Sequence, residues 1–187
     1  MRILVAGATG AVGRPLLRML GERGHEVAGT TRTQARTGLL REFGAEPIIC
    51  DALDPDAVYE AVARWRPEAM VNQLTALSAP LNPRRYVQWL EPTNRLRAEG
   101  TRHLAQAAVA AGTRLLVSQS VAFAYRWDGT TMKTEDDPLF DAFDHCVKQL
   151  TAGGSESRQS LEQVERRLSC ERRPWVWQAG FAISSPA

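Results

Sequence analysis

Three glycines, Gly7, Gly10 and Gly13, stand between a short apolar run, Ile3 to Ala6, and a stretch in which Val12, Leu16, Leu17 and Leu20 recur at helical spacing. That order predicts a buried strand, a tight turn and an amphipathic helix. The arrangement points the free N–H groups of a helix N-terminus at whatever lies beyond the strand, and a phosphate suits that position. Each glycine has a physical reason. Gly7 allows the turn, Gly10 lets backbone approach a phosphate, and Gly13 lets the helix pack closely on the strand. The spacing is G-x-x-G-x-x-G rather than the G-x-G-x-x-G of the common dinucleotide fingerprint. The alternative is a glycine-rich turn in another α/β protein. Position between strand and helix favours a dinucleotide cradle built from Gly7, Thr9, Gly10, Ala11, Val12 and Gly13.

Composition narrows the partners. The 187 residues are 44% hydrophobic and 24% charged, which suits one globular domain with a substantial core. A net charge of +2 without a basic stripe gives no support to nucleic-acid binding. The N-terminal apolar stretch is too short for a signal peptide or a membrane span. Cys50, Cys146 and Cys170 are odd in number and widely spaced, so neither a disulfide framework nor a metal site is expected. A cytoplasmic protein with incidental thiols is the expectation.

Further along, Glu26 to Thr31 reads as a second strand, ending at Thr30-Thr31-Arg32. An acidic residue there would favour NAD by accepting from the ribose hydroxyls; a basic one suits the 2′-phosphate of NADP. Arg32, with a planar fork of donors, predicts NADP, with NAD as the other option. The alternative is a loop arginine in solvent, and Arg36 is a second candidate. Arg36 to Phe43 predicts a helix, Glu46 to Cys50 a third strand, and Asp51 with Ala52 a site beside the adenine. Asp51 also reads as a turn or helix-capping residue. A helix from Asp54-Pro55 to about Arg64 precedes a fourth strand, Ala69 to Leu74. Thr75 and Ala76 at its carboxyl end are expected to line the cofactor. Prolines at 80, 83 and 92 predict an irregular connection with one helical turn. Arg84, Arg85, Tyr86 and Trp89 there face either substrate or solvent. A long helix, Thr93 to Ala111, carries a stripe of Leu96, Gly100, Leu104, Ala107, Ala108 and Ala111, and Gly112 ends it. A close helix–sheet contact would account for Gly100. Arg114 to Ser118 is a fifth strand.

These segments resemble a known family. Gly7-Ala-Thr-Gly-Ala-Val-Gly13, Gly24-His-Glu-Val27, Asp51-Ala-Leu-Asp54, Pro67-Glu-Ala-Met-Val71, Glu99-Gly-Thr-Arg-His-Leu104, Leu115-Leu-Val-Ser-Gln-Ser120 and Thr134-Glu-Asp-Asp-Pro138 are similar, in order and spacing, to extended or atypical short-chain dehydrogenase/reductases of the NAD(P)-dependent epimerase/dehydratase group. The likeness covers roughly residues 1 to 140. It implies an α/β fold, a Rossmann-type doubly wound parallel sheet in three layers. It also implies hydride chemistry on an alcohol, a ketone or a nucleotide sugar. Residues 1–150 would form the NAD(P)-binding domain, and 151–187 a C-terminal helix and sixth strand continuing it, with little or no separate substrate lobe.

In this family a tyrosine moves the proton, its pKa lowered by a lysine four residues on and by the cofactor's charge. A serine or threonine hydrogen-bonds the substrate oxygen, and Ser120 matches that position; its alternative is a strand-end hydroxyl bonding backbone. The Tyr-x-x-x-Lys pair is absent: Asp144 stands four residues before Lys148, where the tyrosine is expected. Tyr125 is the phenol nearest Ser120 in sequence and is the other catalytic candidate. Arg97 replaces the asparagine expected in the long helix, with Asn94 one turn earlier. The two resulting readings are an NADP-preferring oxidoreductase, epimerase or dehydratase-like enzyme, and a cofactor-binding sensor or regulator that has lost the chemistry. Beyond Leu150 the likeness fades. Ser160 to Leu168 predicts a helix and Trp175 to Gln178 a sixth strand. A truncated, degenerate or minimal member, a frame disruption near residue 145, and a pocket completed within a homodimer are the alternatives. The expected partner is a small molecule, not nucleic acid or membrane.

Overall fold

The computed structural model describes residues 1–77, 86–119 and 180–184. Among the described residues six strands form one sheet: β1 (Arg2–Ala6), β2 (Glu26–Thr31), β3 (Glu46–Ile49), β4 (Ala69–Asn72), β5 (Leu115–Gln119) and β6 (Gly180–Ser184). Their spatial order is β3-β2-β1-β4-β5-β6. The first five strands are parallel, and β6 runs antiparallel to β5, with Val117 opposite Ala182. The chain leaves β1 toward β2 and β3, then returns to place β4 on the other side of β1. That reversal is the switch point at which open α/β sheets bind ligands.

Alternation along β1 explains the layers. Successive side chains of a strand point to opposite faces. Leu4 and Ala6 join one core with Val58, Val62, Met70, Leu104 and Leu116. Ile3 and Val5 join the other with Leu17, Val27 and Leu40. Helices α3 (Pro55–Trp65) and α5 (Thr101–Ala110) cover the first face, and α1 (Gly13–Glu22) and α2 (Thr37–Glu42) the second. A parallel sheet needs both faces covered, so apolar runs replace alternation in its central strand. The doubly wound, three-layer expectation is borne out.

Local signals set the helix ends. Asp54 caps α3, its Oδ1 accepting from the N–H groups of Asp56 (3.0 Å) and Ala57 (3.2 Å), with Pro55 in the first turn. Gly112, at φ +70°, follows the end of α5 as expected.

Three expectations are corrected. Val12 does not belong to the buried face of α1: it precedes the helix and is exposed, while Leu17 is buried with Leu16 and Leu20 packed beside it. The segment before Thr93 is not irregular throughout. A helix, α4 (Tyr86–Arg95), runs through Pro92 and continues as a π turn, Leu96–Gly100, into α5. Pro92 lacks the N–H that closes a helical turn, so it reads as a breaker; the wider turn follows four residues later. The buried stripe holds at Leu96, Gly100, Leu104, Ala107 and Ala108, but Ala111 is exposed at the helix end. Trp175–Gln178 and the helix expected over Ser160–Leu168 lie outside the described residues; the sixth strand described is Gly180–Ser184. Among the described residues no helix is long and apolar enough to cross a membrane. None of their His, Cys, Asp and Glu side chains group into a metal site.

Candidate functional site

The glycine turn sits at the carboxyl end of β1, at the switch point. Gly7 has φ +79°, and a Cβ there would lie 2.5 Å from the backbone oxygen of Gln73. The turn closes through the Gly10 N–H donating to Gly7 O at 3.0 Å. A Cβ on Gly13 would lie 2.5 Å from Gly7 O and 2.6 Å from Ala8 O, so the first turn of α1 rests directly on the glycine turn. The N–H groups of Ala11, Val12 and Gly13 donate to no described residue. They are the orphan donors of a helix start, with the positive end of the helix dipole behind them. That supply of donors, in a cradle that a single Cβ would fill, fits a dinucleotide pyrophosphate.

Two residues outside the motif shape this end of the sheet. Gly29 of β2 faces Ala8, and a Cβ there would lie 2.7 Å from Ala8 Cβ and 3.0 Å from Leu40 Cδ2. A lone glycine inside a strand signals such an approach, and the sequence offered that signal. Arg36, in the 3₁₀ turn Gln34–Arg36 before α2, donates from Nη1 to Thr9 Oγ1 at 3.3 Å. Its guanidinium therefore stands over the glycine turn. Arg32 is exposed just past β2 and bonds no described residue. Of the two arginines, only Arg36 is brought onto the cradle by a contact.

In the loop after β3, Asp51 takes the turn-residue role. Its Oδ1 accepts from Leu53 N–H at 3.0 Å and its carbonyl from Asp54 N–H at 3.0 Å, so it organises the turn while remaining exposed. Ala52 is buried, and its carbonyl lies 3.0 Å from His103 Nδ1 on α5. Burial pushes the neighbouring Cys50 thiol up from 9.0 to about 11, and the carboxylates of Asp51 and Asp54 add to the shift. Cys50 therefore stays a protonated core residue at neutral pH.

The loop after β4 carries Thr75 and Ala76. Gln73 N–H donates to Ala6 O at 2.9 Å, Leu74 N–H to Asn72 Oδ1 at 3.1 Å, and Ala76 N–H to Thr93 Oγ1 at 3.0 Å. Asn72 Nδ2 donates to Thr101 Oγ1 and Ser118 Oγ, both at 2.9 Å. Sequence reasoning did not single out Asn72, Thr93, Thr101 or Ser118. Gly100 is buried between this loop and the one after β3, but its contacts are ordinary: a Cβ would lie 3.4 Å from Leu74 Cδ1 and 3.5 Å from Ala52 Cβ. An alanine would fit there, so the close contact expected for Gly100 is not the reason for it. Ser120 and Tyr125, the catalytic candidates, lie outside the described residues, as do Asp144 and Lys148.

Residues 3–143 match the model of the NAD dependent epimerase/dehydratase family. The chain belongs to that family. Among curated relatives of this epimerase/dehydratase chain, a 3-diazoavenalumate denitrifying reductase of a Streptomyces species is 46% identical over 171 residues. That match takes in 90% of this chain and 52% of the relative, so the chain spans about half of that relative's length. A short-chain dehydrogenase/reductase superfamily protein from Agrobacterium tumefaciens, solved with bound NAD, superposes with TM-score 0.59 at 25% identity, over 89% of this chain and 45% of that one. The UDP-Glc/GlcNAc 4-epimerase of Campylobacter jejuni shares the fold, with TM-score 0.64 at 17% identity, over 88% of this chain and 48% of that one. The likeness to the family read over roughly residues 1 to 140 is thus borne out.

Proposed function

We propose that this chain binds NADP in preference to NAD and serves a cytoplasmic oxidoreductase acting on a small molecule: an alcohol, a ketone or a nucleotide sugar. The observation that carries the reading is the cradle at the switch point, with unpartnered N–H groups at Ala11, Val12 and Gly13 and the Arg36 guanidinium at Thr9. Gly7, Thr9, Gly10, Ala11, Val12 and Gly13 would hold the pyrophosphate, Arg32 and Arg36 a 2′-phosphate, Asp51 and Ala52 the adenine, and Thr75 and Ala76 the nicotinamide half. The bound cofactor supplies or takes up a hydride. Residues 1–150 form the binding domain in this reading, and 151–187 extend it.

Ser120 would hold the substrate oxygen, and Tyr125 or a water would carry the proton. The missing Tyr-x-x-x-Lys pair and the denitrifying reductase relative together favour a second substrate class. A diazonium carbon that accepts hydride and expels dinitrogen gains a C–H bond as the C–N bond breaks. No proton has to reach an oxygen, so no activated phenol is needed.

Titration of NADPH and NADH against the fluorescence of the five tryptophans tests the cofactor reading. NADPH is expected to bind at least tenfold more tightly. Arg36→Gln should weaken NADPH by about ten- to a hundredfold, the worth of a charge-assisted hydrogen bond, and leave NADH nearly unchanged. No binding of either below millimolar refutes the reading, and tighter NADH binding refutes the preference. Turnover of NADPH with ketones, nucleotide sugars and an aryl diazonium separates the substrate classes. Ser120→Ala should cut ketone turnover by about a hundredfold or more if the serine polarises an oxygen, and spare diazonium turnover.

A further inference from the structure

We propose that Asn72 and Thr93 are positioning residues, which fix the backbone of Gln73–Ala76 as the wall of the cradle on the nicotinamide side. The inference rests on the dinucleotide reading above.

Asn72 is the last residue of β4 and is buried with 4% exposure. Its carboxamide serves three elements at once. The two Nδ2 hydrogens go to Thr101 on α5 and Ser118 on β5, and Oδ1 accepts the Leu74 N–H. An asparagine has two donors and one carbonyl oxygen, so every polar atom of the side chain is occupied. A buried amide in that state has one orientation, since turning it over leaves its donors and the Leu74 N–H without partners. Thr93 is fully buried, and its hydroxyl receives the Ala76 N–H. Three of the four N–H groups from Gln73 to Ala76 thus have fixed acceptors, two of them side chains.

The helix geometry favours the same conclusion. At about 100° per residue, positions eight apart in an uninterrupted α-helix point about 80° away from each other. Thr93 and Thr101 are eight apart, yet both reach the β4 end of the sheet. The π turn Leu96–Gly100 between them takes an extra residue and sets the phase back by about 100°, which leaves the two within about 20°. The irregular turn brings both hydroxyls to one side.

The loop they hold is also what the glycine turn rests against. Gln73 O occupies the space that a Cβ on Gly7 would need. A shift of Gln73–Ala76 therefore changes the seat of the glycine turn and the floor beyond it, toward β4 and β5. The adenosine side, formed by β2, β3, Arg36 and Asp51, is held by contacts that involve neither Asn72 nor Thr93.

The test compares a whole dinucleotide with its adenosine half. Affinities for NADPH and for 2′,5′-ADP are measured by calorimetry on the full chain and on Asn72→Leu, Thr93→Val and Thr93→Ser, with melting temperatures alongside. Asn72→Leu and Thr93→Val should weaken NADPH about tenfold or more and leave 2′,5′-ADP within twofold. Thr93→Ser, which keeps the hydroxyl, should restore NADPH affinity. A purely structural role would lower the melting temperature and weaken both ligands together, and that outcome overturns the inference. Unchanged NADPH affinity in folded variants also overturns it while leaving the dinucleotide reading intact. Failure of the unmodified chain to bind NADPH removes both. If Asn72→Leu does not fold, the Thr93 pair decides.

Discussion

Gly7→Ala should abolish measurable NADPH binding and lower stability by about 2–5 kcal/mol. Two costs combine. An alanine at φ +79° pays about 1–2 kcal/mol for the left-handed conformation. Its Cβ would also press on Gln73 O at 2.5 Å and on Gln73 C at 2.6 Å, and overpacking of this kind costs about 1–3 kcal/mol. The obstructing atoms are backbone, so no rotamer relieves them. The turn must open, and the N–H groups of Ala11, Val12 and Gly13 then lose their common aim. At the size of this chain each kcal/mol moves the melting temperature by about 2–4 °C. Gly38→Ala is the control. Gly38 lies in α2 with nothing within 4 Å of its would-be Cβ, so alanine there should be neutral or stabilise by up to about 1 kcal/mol. Thermal melts with and without NADPH distinguish the two. Equal behaviour of the two variants would show that the turn does not need Gly7.

The second large effect is expected at Leu17. It is 1% exposed and is the side chain by which α1 is buried in the core shared with Ile3, Val5, Val27 and Leu40. Leu17→Ala should cost about 2–5 kcal/mol, depending on how far the surrounding core collapses into the space. Because the first turn of α1 rests on the glycine turn, which holds the pyrophosphate in the proposed reading, NADPH affinity should fall as well. Met19, two residues on and 47% exposed, should tolerate alanine within about 0.5 kcal/mol. Urea unfolding measures both. A Leu17→Ala midpoint indistinguishable from that of Met19→Ala would mean that α1 docks by other contacts.

Much of this architecture was legible because its signals are local. Gly7, Gly10 and Gly13 announce a turn whose tightness follows from backbone sterics alone, and β2 runs from Glu26 to Thr31 as the apolar pattern predicts. Asp54-Pro55 specifies a helix start within three residues. Contacts between distant segments were harder to read. Nothing in the sequence around Asn72 says that Thr101 and Ser118, 29 and 46 residues away, will share its amide. Arg36 looked like the weaker arginine because its reach to Thr9 depends on a 3₁₀ turn that brings position 36 back over position 9. Pro92 misled for a physical reason. A proline breaks most helices, and the π turn that follows this one cannot be seen in hydrophobic spacing. Val12 misled because helical spacing was extended one turn too far toward the glycines, where the chain is still turning.

The π turn and α5 also set a length. Gly100 lies between Ala52 and Leu74, His103 bonds the carbonyl of Ala52, and Thr101 bonds Asn72 beneath the loop after β4. The loops on the two sides of the cradle are therefore held by two residues of one helix, Thr101 and His103. They behave like the jaws of a caliper fixed to one bar. A displacement of that helix would act on both jaws at once. The span available to an elongated ligand is thus linked to a helix that need not touch it.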